Sequence, residues 1–230
     1  MTAAAMNRQV LFQQRPQGLP TPECFRLASV PIPEPADGEV LVRNRLLSVD
    51  PYIRMRMEEK DSYAPVMKIG EVLVGRTVGE VVTSRASGFR PGDWVVGRLG
   101  WQDYSVTKPA ELQAIDTQVA PASAYLGALG STGVTAWVGL MLFGRPKAGE
   151  TVLVSAASGA VGSVVGQLAR NHGCCAVGIA GGPSKCAQVI EDYGFDDCID
   201  YKAADFADRL AKAVTLGVDV YFDNVGGPIL

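Results

Sequence analysis

The chain has 230 residues, of which 47% are hydrophobic and 20% charged, and its formal net charge is −3. That length holds one large or two small domains, and the mildly acidic balance argues against nucleic acid as a partner, which calls for a basic face. Five cysteines, an odd number without framework spacing and with Cys174 and Cys175 adjacent, read as reduced thiols of a cytoplasmic protein, and the opening MTAAAMNRQV leads into no apolar export core.

In chain order, apolar residues up to about position 115 fall in short β-like runs: Val10 to Phe12, Val40 to Val42, Leu46 to Val49, Val72 to Val74, Val78 to Val82 and Trp94 to Val96. Between them lie turn signals such as Pro35-Ala36-Asp37-Gly38 and Arg90-Pro91-Gly92-Asp93. Short strands with Pro/Gly turns predict a compact β-barrel-like domain. No charged residue occurs between Asp116 and Arg145. That is long enough to cross a bilayer, but Pro121, Gly127, Gly130, Gly133 and Gly139 interrupt it, so two buried helices joined by a Gly/Ser/Thr turn are expected, not a membrane span.

The stretch Thr151 to Gly166, TVLVSAASGAVGSVVG, reads as strand, tight turn and helix. Ala157, Gly159 and Gly162 come one substitution away from the G-x-G-x-x-G of dinucleotide-binding turns, the first glycine being replaced by alanine. Gly159 lets the backbone approach a pyrophosphate and Gly162 lets the helix lie close on its strand. The N–H groups of the turn, including those of Ala160 and Val161, then face the phosphates. Further strands are expected from Ala176 to Ala180, around Ile199 and from Val218 to Phe222, with a helix starting at Ser184. Strands alternating with helices predict a parallel sheet, a Rossmann-type doubly wound arrangement.

An NAD site would place a carboxylate about 20 residues past the glycines. The chain has Ile179, Ala180, Gly181 and Gly182 there, followed by Lys185. A 2′-phosphate meets no repulsion and Lys185 neutralises it, so NADP(H) is favoured over NAD(H); the alternative for Lys185 is a solvated lysine at a helix start.

The segments SVDPYIRMRM (48–57), GFRPGDWVVG (88–97), GWQDYSV (100–106), GSTGVTAW (130–137), AASGAVGSVVGQLA (156–169) and YFDNVGG (221–227) together resemble the zinc-independent medium-chain dehydrogenase/reductases. Within them they are most similar to the NADP-dependent double-bond reductases of the leukotriene B4 12-hydroxydehydrogenase/prostaglandin reductase branch, including the bacterial curcumin reductases. The resemblance implies a GroES-like β-barrel catalytic domain at 1–120, interdomain helices at 121–145 that line a cleft, and an NADP-binding Rossmann domain at 146–230. It implies hydride transfer from NADPH to the β-carbon of an enone or enal, in the cytoplasm, without zinc, nucleic acid or membrane. A quinone reductase and a non-catalytic NADP-binding form are the alternatives. The lone histidine, His172, has no ligand set around it.

By the same resemblance Tyr52 polarises the substrate carbonyl, or else packs beside Pro51. Lys185 and Tyr201 approach the 2′-phosphate, Tyr201 alternatively closing the third strand, and Asn224 reaches the nicotinamide side or forms an Asx turn. Two departures from the branch stand out. GSTGVTAW replaces G-M-P-G-L-T-A-Y, which puts substrate preference in doubt. The chain also stops at Leu230, after the fourth strand, whereas two more βαβ units would add on the order of 60 residues. A C-terminally truncated member is therefore expected, lacking the edge strand through which many relatives pair as homodimers.

Overall fold

The computed structural model describes residues 5–59 and 65–227. Its contacts separate into two compact units, Met1–Leu126 and Gly127–Leu230.

In the N-terminal unit, β1 (Met6–Phe12) and β2 (Phe25–Pro31) form an antiparallel ribbon. A five-stranded antiparallel sheet is built from β3 (Val40–Leu47), β4 (Thr77–Ser84), β5 (Trp94–Gly97), β6 (Tyr104–Thr107) and β7 (Leu112–Ala114), in the order β6-β3-β4-β5-β7. One turn of helix, α1 (Tyr52–Met55), follows β3. Val40, Val42, Val81, Val95 and Leu99 make one apolar cluster. Phe12, Ile53, Met57, Met67 and Leu73 make another, which holds α1.

Buried and half-buried amides cross-link this unit. The Asn44 side chain donates to the Gln102 carbonyl at 2.8 Å and to Ser105 Oγ at 3.3 Å, and accepts from Thr77 Oγ1 at 3.3 Å. Asn7 donates to the Tyr104 carbonyl at 3.0 Å and accepts from its N–H at 2.9 Å. Gln102 Oε1 accepts from both Asn7 and Gln9. These pairings satisfy polar groups that would otherwise be costly to bury.

Several expected strands change here. Leu46 to Val49 is not a separate strand: β3 runs on to Leu47 across a register shift between Asn44 and Leu46. Val72 to Val74 is not a strand either and pairs through a single bridge, Leu11 to Val72. Conversely β2, β6 and β7 arise where the sequence shows no apolar run. Their three to seven residues alternate with charged or polar neighbours, so pairing partners rather than local pattern decide them.

In the C-terminal unit, α2 (Ser131–Trp137) passes directly into a π-helical segment, Val138–Gly144. Four parallel strands follow: β8 (Thr151–Val154), β9 (Cys175–Ala180), β10 (Asp197–Asp200) and β11 (Val220–Phe222). Between them lie α3 (Gly162–Asn171), α4 (Pro183–Glu191) and α5 (Phe206–Ala213). Their order, β10-β9-β8-β11, is that of the first four strands of the Rossmann arrangement, with the strand order, not the strand direction, reversing between β8 and β11. The fourth strand begins at Val220 rather than Val218.

The uncharged stretch does not form two buried helices. It comprises a 3-10 turn at Ala122–Leu126, then α2 and the π segment, and Val134, Trp137, Leu142 and Phe143 on these are exposed. On α2 and the π segment only Gly133, Ala136 and Leu140 are buried, because the apolar residues are too evenly spread for one stripe. Among the described residues no helix is long and apolar enough to cross a membrane.

Candidate dinucleotide-binding site

The turn after β8 is tight because Ala156 adopts a φ of 45°, a left-handed backbone that costs an L-residue about 1–2 kcal/mol. Its carbonyl accepts the Gly159 N–H at 2.8 Å, and a Cβ on Gly162 would lie 2.4 Å from the same oxygen. Gly162 therefore has to be glycine for α3 to start where it does. Ala157 is fully buried, and a Cβ on Gly178 of β9 would sit 2.8 Å from its methyl. The glycine absent from the first fingerprint position is thus supplied across the sheet. One turn further on, the Phe195 ring covers Gly166, where a Cβ would come within 1.8 Å of it.

At the mouth of α3 the N–H groups of Ala160, Val161 and Gly162 make no backbone hydrogen bond among the described residues. Free N–H groups at a helix start form an anion cradle. Beside it a hollow of about 190 Å³ is lined by Ser158, Gly181, Lys185, Tyr201 and Lys202, among others. Tyr201 lies over Gly181, whose added Cβ would be 2.9 Å from the ring. Lys185 is exposed in the first turn of α4, where a cation opposes the helix dipole by about 0.3–1 kcal/mol. That placement does nothing for the helix and suits an anionic ligand.

Two features of this hollow escape the sequence pattern. Lys202 adds a second ammonium beside Tyr201. Asp200 does bring a carboxylate to the strand end, but its Oδ1 accepts the N–H groups of Gly182 at 2.7 Å and Lys202 at 2.9 Å. Those backbone bonds, from Lys202 first and then Gly182, hold its carboxyl below the usual range. Asp200 is therefore occupied with the two loops rather than facing a ribose.

At the reversal between β8 and β11, Ser155 is fully buried and its Oγ–H donates to Asp223 Oδ1 at 2.7 Å, while the same Ser155 oxygen accepts the Asn224 N–H at 2.7 Å. The Asn224 amide donates to the Ser155 carbonyl at 2.9 Å. The Asx turn in this segment belongs to Asp223, which accepts from Val225 and Gly226 N–H. The Ser155 hydroxyl is the main cause holding the Asp223 carboxyl below the usual range. Asn224 thus ties two strand ends together through its N–H groups, and its side-chain carbonyl stays outside that network.

Tyr52, the remaining candidate, lies in the N-terminal unit, half-buried against the Phe12 and Ile53 cluster. Burial pushes its phenol up, nearby Asp50 adds to the rise, and Arg98, Arg56 and Arg76 oppose it. Among the described residues no group of three or more His, Cys, Asp or Glu is placed to hold a metal ion, and His172 is exposed just beyond α3.

Fold and turn together define a protein of the dinucleotide-binding α/β class carrying a β-rich unit. Residues 8–115 match the family model described as the N-terminal domain of oxidoreductase, and residues 160–230 match that described as zinc-binding dehydrogenase. The chain is 46% identical to the NADPH-dependent curcumin reductase of Escherichia coli over 97% of its own length and 65% of that protein's. It is 39% identical to the NADP(+)-dependent 2-alkenal reductase of Nicotiana tabacum, over its full length and 69% of that protein's. The crystal structure of CurA from Vibrio vulnificus in complex with NADPH superposes with a TM-score of 0.91 at 48% identity, covering 96% of this chain and 66% of that one. The chain belongs to the zinc-independent medium-chain dehydrogenase/reductase family and spans about two thirds of the length of the relatives it matches.

Proposed function

We propose that the chain binds NADP(H) at the α3 turn and acts in NADPH-dependent reduction of the activated C=C bond of an α,β-unsaturated ketone or aldehyde. The observation that carries the cofactor choice is the hollow that brings Lys185, Lys202 and Tyr201 together while Asp200 is held by backbone N–H groups. The free N–H groups of Ala160, Val161 and Gly162 would take the pyrophosphate, and the two ammonium groups the 2′-phosphate. Asn224 and the Ser155–Asp223 pair would brace the nicotinamide side. The relatives' names, a curcumin reductase and a 2-alkenal reductase, support the substrate class.

When bound, the reduced nicotinamide supplies the hydride that adds to the β-carbon. The chain's own part is to polarise the carbonyl as negative charge builds on its oxygen. Tyr52 is the donor for this step, because its phenol carries one O–H that can be offered to the carbonyl oxygen. The partners are small molecules, and the five free thiols fit a reducing compartment, the cytoplasm.

Titration with NADPH and NADH tests this reading. Lys185→Ala removes a charge-assisted contact and should weaken NADPH by about 10- to 100-fold, with NADH changed by less than about threefold. Equal loss for both cofactors would remove the 2′-phosphate assignment.

A further inference from the structure

One end of the five-stranded sheet carries more charge than carbonyl polarisation uses. Leu47 of β3 stands opposite Thr77 of β4, Thr77 stands opposite Gly97 of β5, and the Ser48 N–H donates to the Arg76 carbonyl at 2.9 Å. Ser48, Asp50 and Tyr52 just after β3, Arg76 just before β4 and Arg98 just after β5 therefore share that end of the sheet. Ser48 Oγ–H donates to Asp50 Oδ1 at 3.0 Å. Asp50 Oδ2 and Arg76 Nε are both buried without a hydrogen-bond partner. Among the described residues neither Arg76 nor Arg98 has an ion pair or a side-chain hydrogen bond, whereas Arg56 nearby is engaged with the Pro65 carbonyl at 2.8 Å.

Two unengaged guanidiniums beside a single carboxylate leave this end of the sheet net positive. A buried donor without an acceptor is costly, and it persists where a ligand provides the acceptor. Guanidinium groups match planar oxyanions, taking a carboxylate through two parallel N–H bonds. Arg98 is exposed and Arg76 half-buried, so together they offer an approach from solvent and a desolvated seat.

We propose that Arg76 and Arg98 form an anion subsite beside Tyr52, which selects enones or enals that also carry a carboxylate. The proposal rests on the reading of Tyr52 as the carbonyl donor. It concerns the second functional group of the substrate, not the alkene that is reduced.

A matched pair of compounds tests it: 4-(4-carboxyphenyl)but-3-en-2-one and its methyl ester, which share the enone and differ in charge. Binding is measured by calorimetry and turnover by NADPH oxidation. The wild-type chain should bind the acid about 10-fold more tightly than the ester, and in Arg76→Gln/Arg98→Gln the ratio should fall to about one. Arg98→Gln alone, at an exposed side chain, should lower the ratio severalfold and serves if loss of Arg76 unsettles the fold. Equal binding of acid and ester by the wild type, or a preference that survives the substitutions, overturns the subsite. A loss of NADPH affinity in the variants also overturns it, by assigning the guanidiniums to cofactor phosphate. Acid-selective binding without turnover of either compound would leave the anion subsite standing and remove the reductase reading.

Discussion

The two units are held together by different physics. In the C-terminal unit the sheet interior is apolar and small: Val152, Val154, Ala157 and Ala176 are fully buried, and backbones approach each other where Gly162, Gly166 and Gly178 leave room. In the N-terminal unit, strands β1, β3, β4 and β6 are cross-linked by the side chains of Asn7, Asn44, Thr77, Gln102 and Ser105, with smaller apolar clusters on either side. One unit depends on shape, so it is vulnerable to added volume. The other depends on polar pairing, so it is vulnerable to a lost partner.

The largest expected effect comes from adding volume to the first. Gly166→Val drives a side chain into the buried Phe195 ring and should cost about 3 kcal/mol in urea unfolding. Combined with Phe195→Leu the loss should be smaller than the sum of the single losses, because the two share one space; strict additivity would contradict the close-approach account. Next, Asn44→Leu keeps the branched shape and the heavy-atom count but leaves the Gln102 carbonyl, Ser105 and Thr77 short of a partner, for about 2 kcal/mol. If that variant were as stable as the wild type, the polar cross-link would be incidental. About 1 kcal/mol should follow from Gly178→Ala, whose methyl meets that of Ala157 most closely and Cys198 Sγ and Val189 Cγ1 next, and Ala157→Gly on the same chain should recover part of it.

The smallest effect is electrostatic. The folded state holds the Asp223 carboxyl below its ordinary value. Its contribution is therefore fully present above the ordinary carboxylate pKa, about 3.9, and is lost as pH falls through the lower folded value. Unfolding midpoints followed from neutral to acid should fall only below about pH 4, and Asp223→Asn should flatten that acid limb.

The same contrast explains what could be read from sequence. Val152 to Val154 and Ala176 to Ala180 are continuous apolar runs because both faces of those strands are buried. Strand β2 escaped because Arg26, Leu27 and Ser29 show no burial alternation, Leu27 being 80% exposed, and only its seven-residue register with β1 defines it. Strands β6 and β7 are too short to carry a period. Around the turn, Gly159 and Gly162 are legible because close approach demands one residue type. Lys202, Asp200 and the Ser155–Asp223 bond are not, since their roles come from strands that lie side by side but are far apart in the chain.

The stacking of Tyr201 on Gly181 also limits how cofactor preference can be redesigned. Conversion to NADH would conventionally install a carboxylate near the end of β9. At position 181 the first carbon of any such side chain would meet the phenol ring at 2.9 Å. On the cofactor placement proposed above, Gly181→Asp would therefore need a smaller residue at 201, and the single change should weaken NADPH and NADH alike.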